Sequence, residues 1–386
     1  MQVRPTIAVV GASVRSAAFS LLRAGCRVVA ADLFADADLK RECAVTRIAD
    51  YPAKLFDWLA KTECDGWLYT GAIENHPDLI DLMAELKLLL GISGDSLRRV
   101  RDPILLQKAL RAAGPNFPET KSCNGSPPCD GQWLHKTGQG GNGSGVSHHQ
   151  SEPPGLPRRA TTSKNGPSNS QRKGYWQRRI EGTPGSALFI NAELQGITQQ
   201  LIAEPWTGAC EFQYCGTLAP WLLPPSATAE ITRLGEVLAE QFNLHGLFGV
   251  DFVFDGEQAW PLEVNPRVTA AVEIVERVAG TNLLAKHLAA FGIAADDLRQ
   301  EAVAASGKAI LYAKHPLAVS RSMSESLLAR AGPRDSPQLA DIPNPDMQIA
   351  VGEPILTVLS DGSSTGAVVA ELRERVAAME HELYRG

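Results

Sequence analysis

Long apolar runs are missing from this sequence. Residues 1–11 hold only Ile7 to Val10 as a continuous hydrophobic stretch behind Arg4, too short for a secretion signal or a membrane span. A cytoplasmic protein with no membrane partner is therefore expected. Positive charge is not in excess either: 37 Lys and Arg stand against 43 Asp and Glu, a net charge of −6. That balance offers no broad basic surface to a phosphate backbone and excludes nucleic acid as the expected partner. Cysteine is sparse and unpatterned. Cys26, Cys43, Cys64, Cys123, Cys129, Cys210 and Cys215 are odd in number and scattered, as reduced thiols are rather than a disulfide framework. Cys123 and Cys129 lack a second Cys or His pair at zinc spacing.

What is present suits an enzyme-sized chain. At 386 residues it is too long for one ordinary core and fits two or three units with clefts between them. The opening reads strand, glycine turn, helix, strand: residues 6–10 are apolar, Gly11-Ala12-Ser13 turns, 15–24 is helical and 26–31 is apolar again. Helices over 51–61 and 77–90 flank a buried strand at 66–70, so a parallel sheet covered by helices is expected up to about residue 95. After a helix over 102–113, Gly, Ser, Pro and Asn dominate residues 122–174. Within that stretch a glycine-rich hairpin is expected around 133–149, and 151–173 reads as a mobile loop with too few large apolar residues to order itself. Strands follow at 175–180, 186–192 and 199–204. A helix over 228–242 precedes a hairpin at 249–264, and helices over 271–278 and 281–291 come next. The last 90 or so residues mix strands with Pro-rich turns and a closing helix over 364–384.

The densest chemistry lies in Gly249-Val250-Asp251-Phe252-Val253-Phe254 and Leu262-Glu263-Val264-Asn265-Pro266-Arg267. Residues two apart on a strand share a face, so Glu263, Asn265 and Arg267 project together. Hard oxygen donors on a rigid sheet suit Mg²⁺, which prefers one or two carboxylates plus substrate phosphates to a closed protein cage. Asp251 supplies the second carboxylate only if register permits. A strict two-residue turn at Asp255-Gly256 would put Asp251 and Glu263 on opposite faces, so a longer turn or a bulge is expected.

These segments resemble the metal-binding signature of the ATP-grasp family, which includes biotin carboxylase and D-alanine-D-alanine ligase; the twelve-residue step from Asp251 to Glu263 also matches. The resemblance runs from about residue 97 to 291. It implies an α/β fold with an α+β grasp core: a Rossmann-like domain over 1–95, an ATP-grasp domain over 96–295 with a lid at about 121–182, and a small C-terminal α+β region over 296–386. Metal ligation falls to Asp251, Glu263 and Asn265. Lys136 with Gly138, Gly140, Gly141, Gly143 and Gly145 resembles the family's lysine and glycine loop over the ATP phosphates, and glycines do let amides close on phosphate oxygens. Gln177, Arg178, Arg179, Ile180 and Glu181 match the hinge strand that binds adenine and ribose. Arg267 and Lys136 are the expected catalytic cations. On the substrate side stand Glu74 and Asn75, at a strand's C-terminal end, and Glu273, which would meet the amine.

The activity implied is an ATP-dependent carboxylate–amine (or thiol) ligase working through an acyl phosphate, with ATP and Mg²⁺ (or Mn²⁺) as cofactors. Its partners are a small-molecule carboxylate and an amine, and a homodimer is compatible. The whole chain further resembles ATP-grasp carboligases related to biotin carboxylase, which implies cofactor biosynthesis of the pterin or furan one-carbon type. One departure is visible: where members commonly carry a phosphate-binding Lys after Asp, this chain reads Asp102-Pro103. Arg101 and Lys108 are the candidate replacements. The same gap keeps a nucleotide-binding regulatory protein as the rival reading. An NAD-dependent oxidoreductase is a weaker rival, since Gly11 and Asp32 resemble part of a dinucleotide fingerprint whose second and third glycines are missing.

Overall fold

The computed structural model describes residues 4–123, 125, 127–138, 141–149, 174–296 and 301–385. Gly140 and the loop expected over 151–173 lie outside the described residues. No described helix is long and apolar enough to cross a membrane.

The first unit alternates strand and helix: β1 (Thr6–Gly11), α1 (Arg15–Arg23), β2 (Arg27–Asp32), α2 (Ala37–Glu42), β3 (Ala44–Arg47), α3 (Leu55–Lys61), β4 (Gly66–Tyr69), a 3₁₀ turn at Ile73–Asn75, α4 (Pro77–Leu86) and α5 (Gly94–Val100). The strands form a parallel sheet in the order β3-β2-β1-β4. Ile7 to Val10 are apolar without alternation because both faces of β1 are covered, and all four are fully buried. Since β1 lies between β2 and β4, the turns leaving β1 and β4 meet, with Ala12 N donating to Gly71 O at 2.8 Å. Gly11 permits this approach: a Cβ there would lie 1.9 Å from Thr70 Oγ1. Asp32 is not free to bind a ribose. Its carboxylate accepts from the amides of Val14, Phe34 and Ala35, all at 2.7 Å.

After α6 (Pro103–Ala113), a small antiparallel sheet in the order β5-β8-β6-β7 is built from β5 (Thr120–Ser122), β6 (Trp133–Thr137), β7 (Val146–His148) and β8 (Gly174–Arg178). Beyond it come β9 (Thr183–Ile190), β10 (Glu193–Ile202), β11 (Tyr214–Ala219), α7 (Pro225–Phe242), β12 (Leu247–Phe254), β13 (Ala259–Asn265), α8 (Val272–Ala279) and α9 (Leu283–Ala290). The C-terminal elements are β14 (Ala305–Tyr312), β15 (Leu317–Ala318), α10 (Arg321–Ala329), β16 (Leu339–Ala340), β17 (Gln348–Ile349), β18 (Pro354–Gly362) and α11 (Thr365–Leu383). A second, larger sheet runs β13-β12-β9-β10-β11-β14-β18-β16, so the C-terminal region joins the grasp sheet strand to strand. Helix α7 packs on this sheet through Ile231, Leu234 and Leu238, and Gly235 lets it come close: a Cβ there would lie 2.2 Å from the Phe189 ring. The small sheet folds over the large one, leaving a cleft whose floor is β12 and β13.

Candidate active site

The floor of the cleft depends on one irregularity. In the β12–β13 hairpin Phe254 pairs with Ala259 and Phe252 with Pro261, but Asp251 pairs with Glu263, because the register shifts at Leu262. That bulge, with four residues in the turn, puts the two carboxylates directly opposite each other and therefore on one face. Asp251 accepts from Gln200 Nε2 on β10 and from Asn265 Nδ2, both at 2.9 Å. Desolvation and the neighbouring charge of Glu263 push its pKa up to about 6. Among the described residues the Glu263 carboxylate takes no hydrogen bond, and neither acid has a Lys or Arg within ion-pair distance. Two adjacent carboxylates, one held by neutral donors and both without a direct cation among the described residues, fit a divalent ion that shares its shell with phosphate oxygens. Among the described residues no cluster of three or more His, Cys, Asp or Glu side chains could form a closed metal cage.

From above, β6 brings Lys136. It pairs with Tyr175 of β8, and both face the acids: Glu263 and Asp251 support the Lys136 charge, although burial lowers its pKa overall. Beyond Lys136 the chain turns through Asn142 to Gly145 and docks on the large sheet, where Asn142 Nδ2 donates to Tyr312 Oη at 3.1 Å. Gly143, at φ +76°, lies so close to Phe212 that a Cβ would stand 1.9 Å from its carbonyl oxygen. Gly145, at φ +87°, is equally tight against Thr137. Gly138 is exposed and Gly141 faces open space.

The cleft's inner end is closed by the first unit. Arg267 Nε donates to Glu74 Oε1 at 2.6 Å, and its Nη2 donates to Asn265 Oδ1 at 3.3 Å. Burial opposes the Arg267 charge, but Glu74, Asp251 and Glu263 outweigh it and raise its pKa. The neighbouring Asn75 accepts from Arg101 Nη2 at 3.0 Å. A chain of contacts thus runs Arg101–Asn75, then Glu74–Arg267–Asn265–Asp251. Among the described residues, Glu74 Oε2 and the Tyr51 hydroxyl are buried without a hydrogen-bond partner.

One expectation needs correction. Glu273 does not face an amine: it is 2% exposed, ion-paired with Arg15 and with Lys308 Nζ at 3.3 Å. Burial would raise its pKa, yet those two cations hold it well below the usual carboxylate range. Helical phase turned it into the domain interface, away from Arg267. On the expected hinge strand the side chain of Gln177 is buried, with Nε2 3.4 Å from Thr120 Oγ1 and from Leu262 O. The amides of Arg178 and Arg179 are spent on Glu119 O and Gln132 O, at 2.8 and 2.7 Å. Arg179, Ile180 and Glu181 instead line a cleft of about 320 Å³ with Gly131, Gln132, Asp255 and Trp260. Sequence reasoning missed Gln200, Tyr51 and Tyr175. Tyr175 was reachable, since it shares the alternation of a strand already singled out; Gln200 and Tyr51 carry no local signal.

A parallel α/β unit followed by a two-sheet grasp with paired acids in its cleft defines an ATP-grasp architecture. Residues 100–271 match the family model described as an ATP-grasp domain. An uncharacterised protein of Methanocaldococcus jannaschii is 30% identical over 184 residues, 48% of this chain and 41% of that protein. The carbamoyl phosphate synthase large chain of Clostridium acetobutylicum is 30% identical over 69 residues, 18% of this chain and 6% of that one. The chain thus spans less than half the length of these curated relatives. Among solved structures, an ADP complex of N5-carboxyaminoimidazole ribonucleotide synthetase superposes with TM-score 0.69 at 12% identity, covering 99% of both chains. The L-amino acid ligase of Bacillus licheniformis gives 0.66 at 14%, covering 98% of both. Biotin carboxylase of Campylobacter jejuni gives 0.65 at 13%, covering 94% of this chain and 89% of that one. At such identities the likeness speaks to fold alone.

Proposed function

We propose that this chain is an ADP-forming ligase that spends ATP to turn a carboxylate into an acyl phosphate and then passes the acyl group to an amine or thiol. The observation that carries this reading is the bulged pairing of Asp251 with Glu263, tied to Asn265 and Arg267 and faced by Lys136. Asp251, Glu263 and Asn265 would hold a magnesium ion, which when bound supplies positive charge at the terminal phosphate oxygens. Lys136 draws charge from the γ-phosphoryl group as a substrate carboxylate oxygen bonds to its phosphorus and the bond to the ADP oxygen breaks. Arg267 binds the carboxylate and then its mixed anhydride through its planar fork, oriented by Glu74. The small sheet, docked through Asn142 and Gly143, keeps water from that anhydride. Attack by the nucleophile releases phosphate. Small-molecule biosynthesis, of the pterin or furan cofactor type implied by the sequence resemblance, is the setting we assign.

The test is ADP formation against a panel of carboxylates paired with amines, with Glu263→Gln as control. Substrate-stimulated ADP release in the parent protein and its loss in the variant is the expected result. Tight ATP binding with no pairing that stimulates ADP release would favour the regulatory reading, which the cation-free turn at Pro103 otherwise motivates.

A further inference from the structure

The first turn of α6 is closed as well as uncharged. Pro103 occupies its first position, and the Asp102 carboxylate accepts from the amides of Ile104 and Leu105 at 2.8 and 3.0 Å. Lys108, further along the same helix, is exposed. Arg101, by contrast, is partly buried at the C-terminal end of α5 and is turned toward the cleft by its bond to Asn75 Oδ1. Its Nε and Nη1 have no partner among the described residues. Its bond to Asn75 sets it one residue from Glu74, the partner of Arg267. Its charge is also felt by two phenols that burial pushes up: Tyr69, which donates to Pro266 O at 3.0 Å and is pulled back first by Arg267 and then by Arg101, and Tyr175, the strand partner of Lys136, which Arg101 pulls back. Asn75 and Glu74, adjacent in one 3₁₀ turn, each hold one arginine.

We propose that Arg101 contacts the phosphate chain of the bound nucleotide and that Asn75 holds it there, so that the N-terminal domain completes the nucleotide site. This rests on the ATP reading above. A guanidinium anchored through Nη2, with Nε and Nη1 still able to donate, can hold phosphate oxygens directionally where a lysine on α6 would act as a point charge. The arrangement also makes the nucleotide site sensitive to a residue of the first domain that never touches the ligand: Asn75 is a positioning residue.

Equilibrium binding of ATP and of adenosine, with Mg²⁺ present, decides the matter on the full chain and on Arg101→Met, Arg101→Lys, Asn75→Ala and Lys108→Met. Arg101→Met should weaken ATP by about 10- to 100-fold, the scale of a charged hydrogen bond, and leave adenosine unchanged. Arg101→Lys should recover part of the loss, and Lys108→Met should stay near the parent. Asn75→Ala should weaken ATP less than Arg101→Met and add nothing in the Arg101→Met background. Parent-like ATP affinity in Arg101→Met, or equal losses of ATP and adenosine in both Arg101 variants, overturns the proposal alone. A parent protein with no preference for ATP over adenosine sinks the nucleotide reading and this inference with it.

Discussion

Single residues decide the chemistry, and the bulge at Leu262 is the smallest feature on which it depends. Without the extra residue Asp251 would point through the sheet from Glu263. The spacing of the two acids made this legible: a two-residue turn was incompatible with a shared face, and a register shift is what the hairpin contains. The place of Glu273 was not legible, because whether a helical acid meets solvent or a buried arginine depends on a partner 258 residues away in sequence. Lys136 allows a direct prediction. Its ammonium is the charge that faces Asp251 and Glu263 from the small sheet, so Lys136→Met should lower ATP turnover by about 10²–10³-fold. Steady-state ADP release, with ATP binding measured alongside, checks it; parent-like turnover would remove Lys136 from the site.

Elements fix how closely these residues approach. Helix α7 lies against the large sheet only because Gly235 presents no side chain to Phe189, so Gly235→Ala forces overpacking. A loss of roughly 1–3 kcal/mol is expected in urea unfolding. Gly143→Ala acts differently, since its clash is with the Phe212 carbonyl and lies at the contact that docks the lid. It should weaken ATP binding and, through the strain at its positive φ, also cost roughly 1–3 kcal/mol in urea unfolding; that loss of stability with normal ATP binding would assign the contact to folding alone. The long helices α7 and α11 were legible in sequence, α7 through its amphipathic pattern. Short elements were not: β3 and β5 span 4 and 3 residues of mixed polarity. Nor could local pattern reveal that β14 and β18 extend the grasp sheet, because that pairing is long-range.

At the scale of the whole molecule, a buried ionic network ties the three regions together. Arg15 of the first unit reaches Glu273 of the grasp and Asp341 near the C-terminus, with its Nε 2.9 Å from Asp341 Oδ1. Asp38 accepts from the amides of Asp341 and Ile342, both at 3.0 Å. Removing one member strands its partners without water. Glu273→Ala should therefore cost about 3–5 kcal/mol in urea unfolding and leave ATP affinity of the folded protein near that of the parent. The same network sets a pH dependence. Burial pushes Asp32 and Asp38 up to about 6, so their favourable contribution is complete below the ordinary aspartate value of about 4 and is lost as pH rises through about 6. Glu273 and Asp341, held low by Arg15, contribute at neutral pH and lose that contribution only as pH falls through their depressed values. His287, pushed down to about 4 by burial, acts in the opposite sense over this interval, so the test is a difference: from pH 7.5 to pH 5.5 the melting temperature of the parent should gain on that of Asp38→Asn, and a parent that loses ground to the variant contradicts the assignment.

Binding of ATP with and without Mg²⁺, to the parent protein and to Glu263→Gln, tests the account at its centre. Mg²⁺ should tighten ATP at least about tenfold in the parent, as a charged ligand bridge would, and should do nothing in Glu263→Gln, whose metal-free ATP affinity matches the parent. An identical Mg²⁺ effect in both proteins would contradict it.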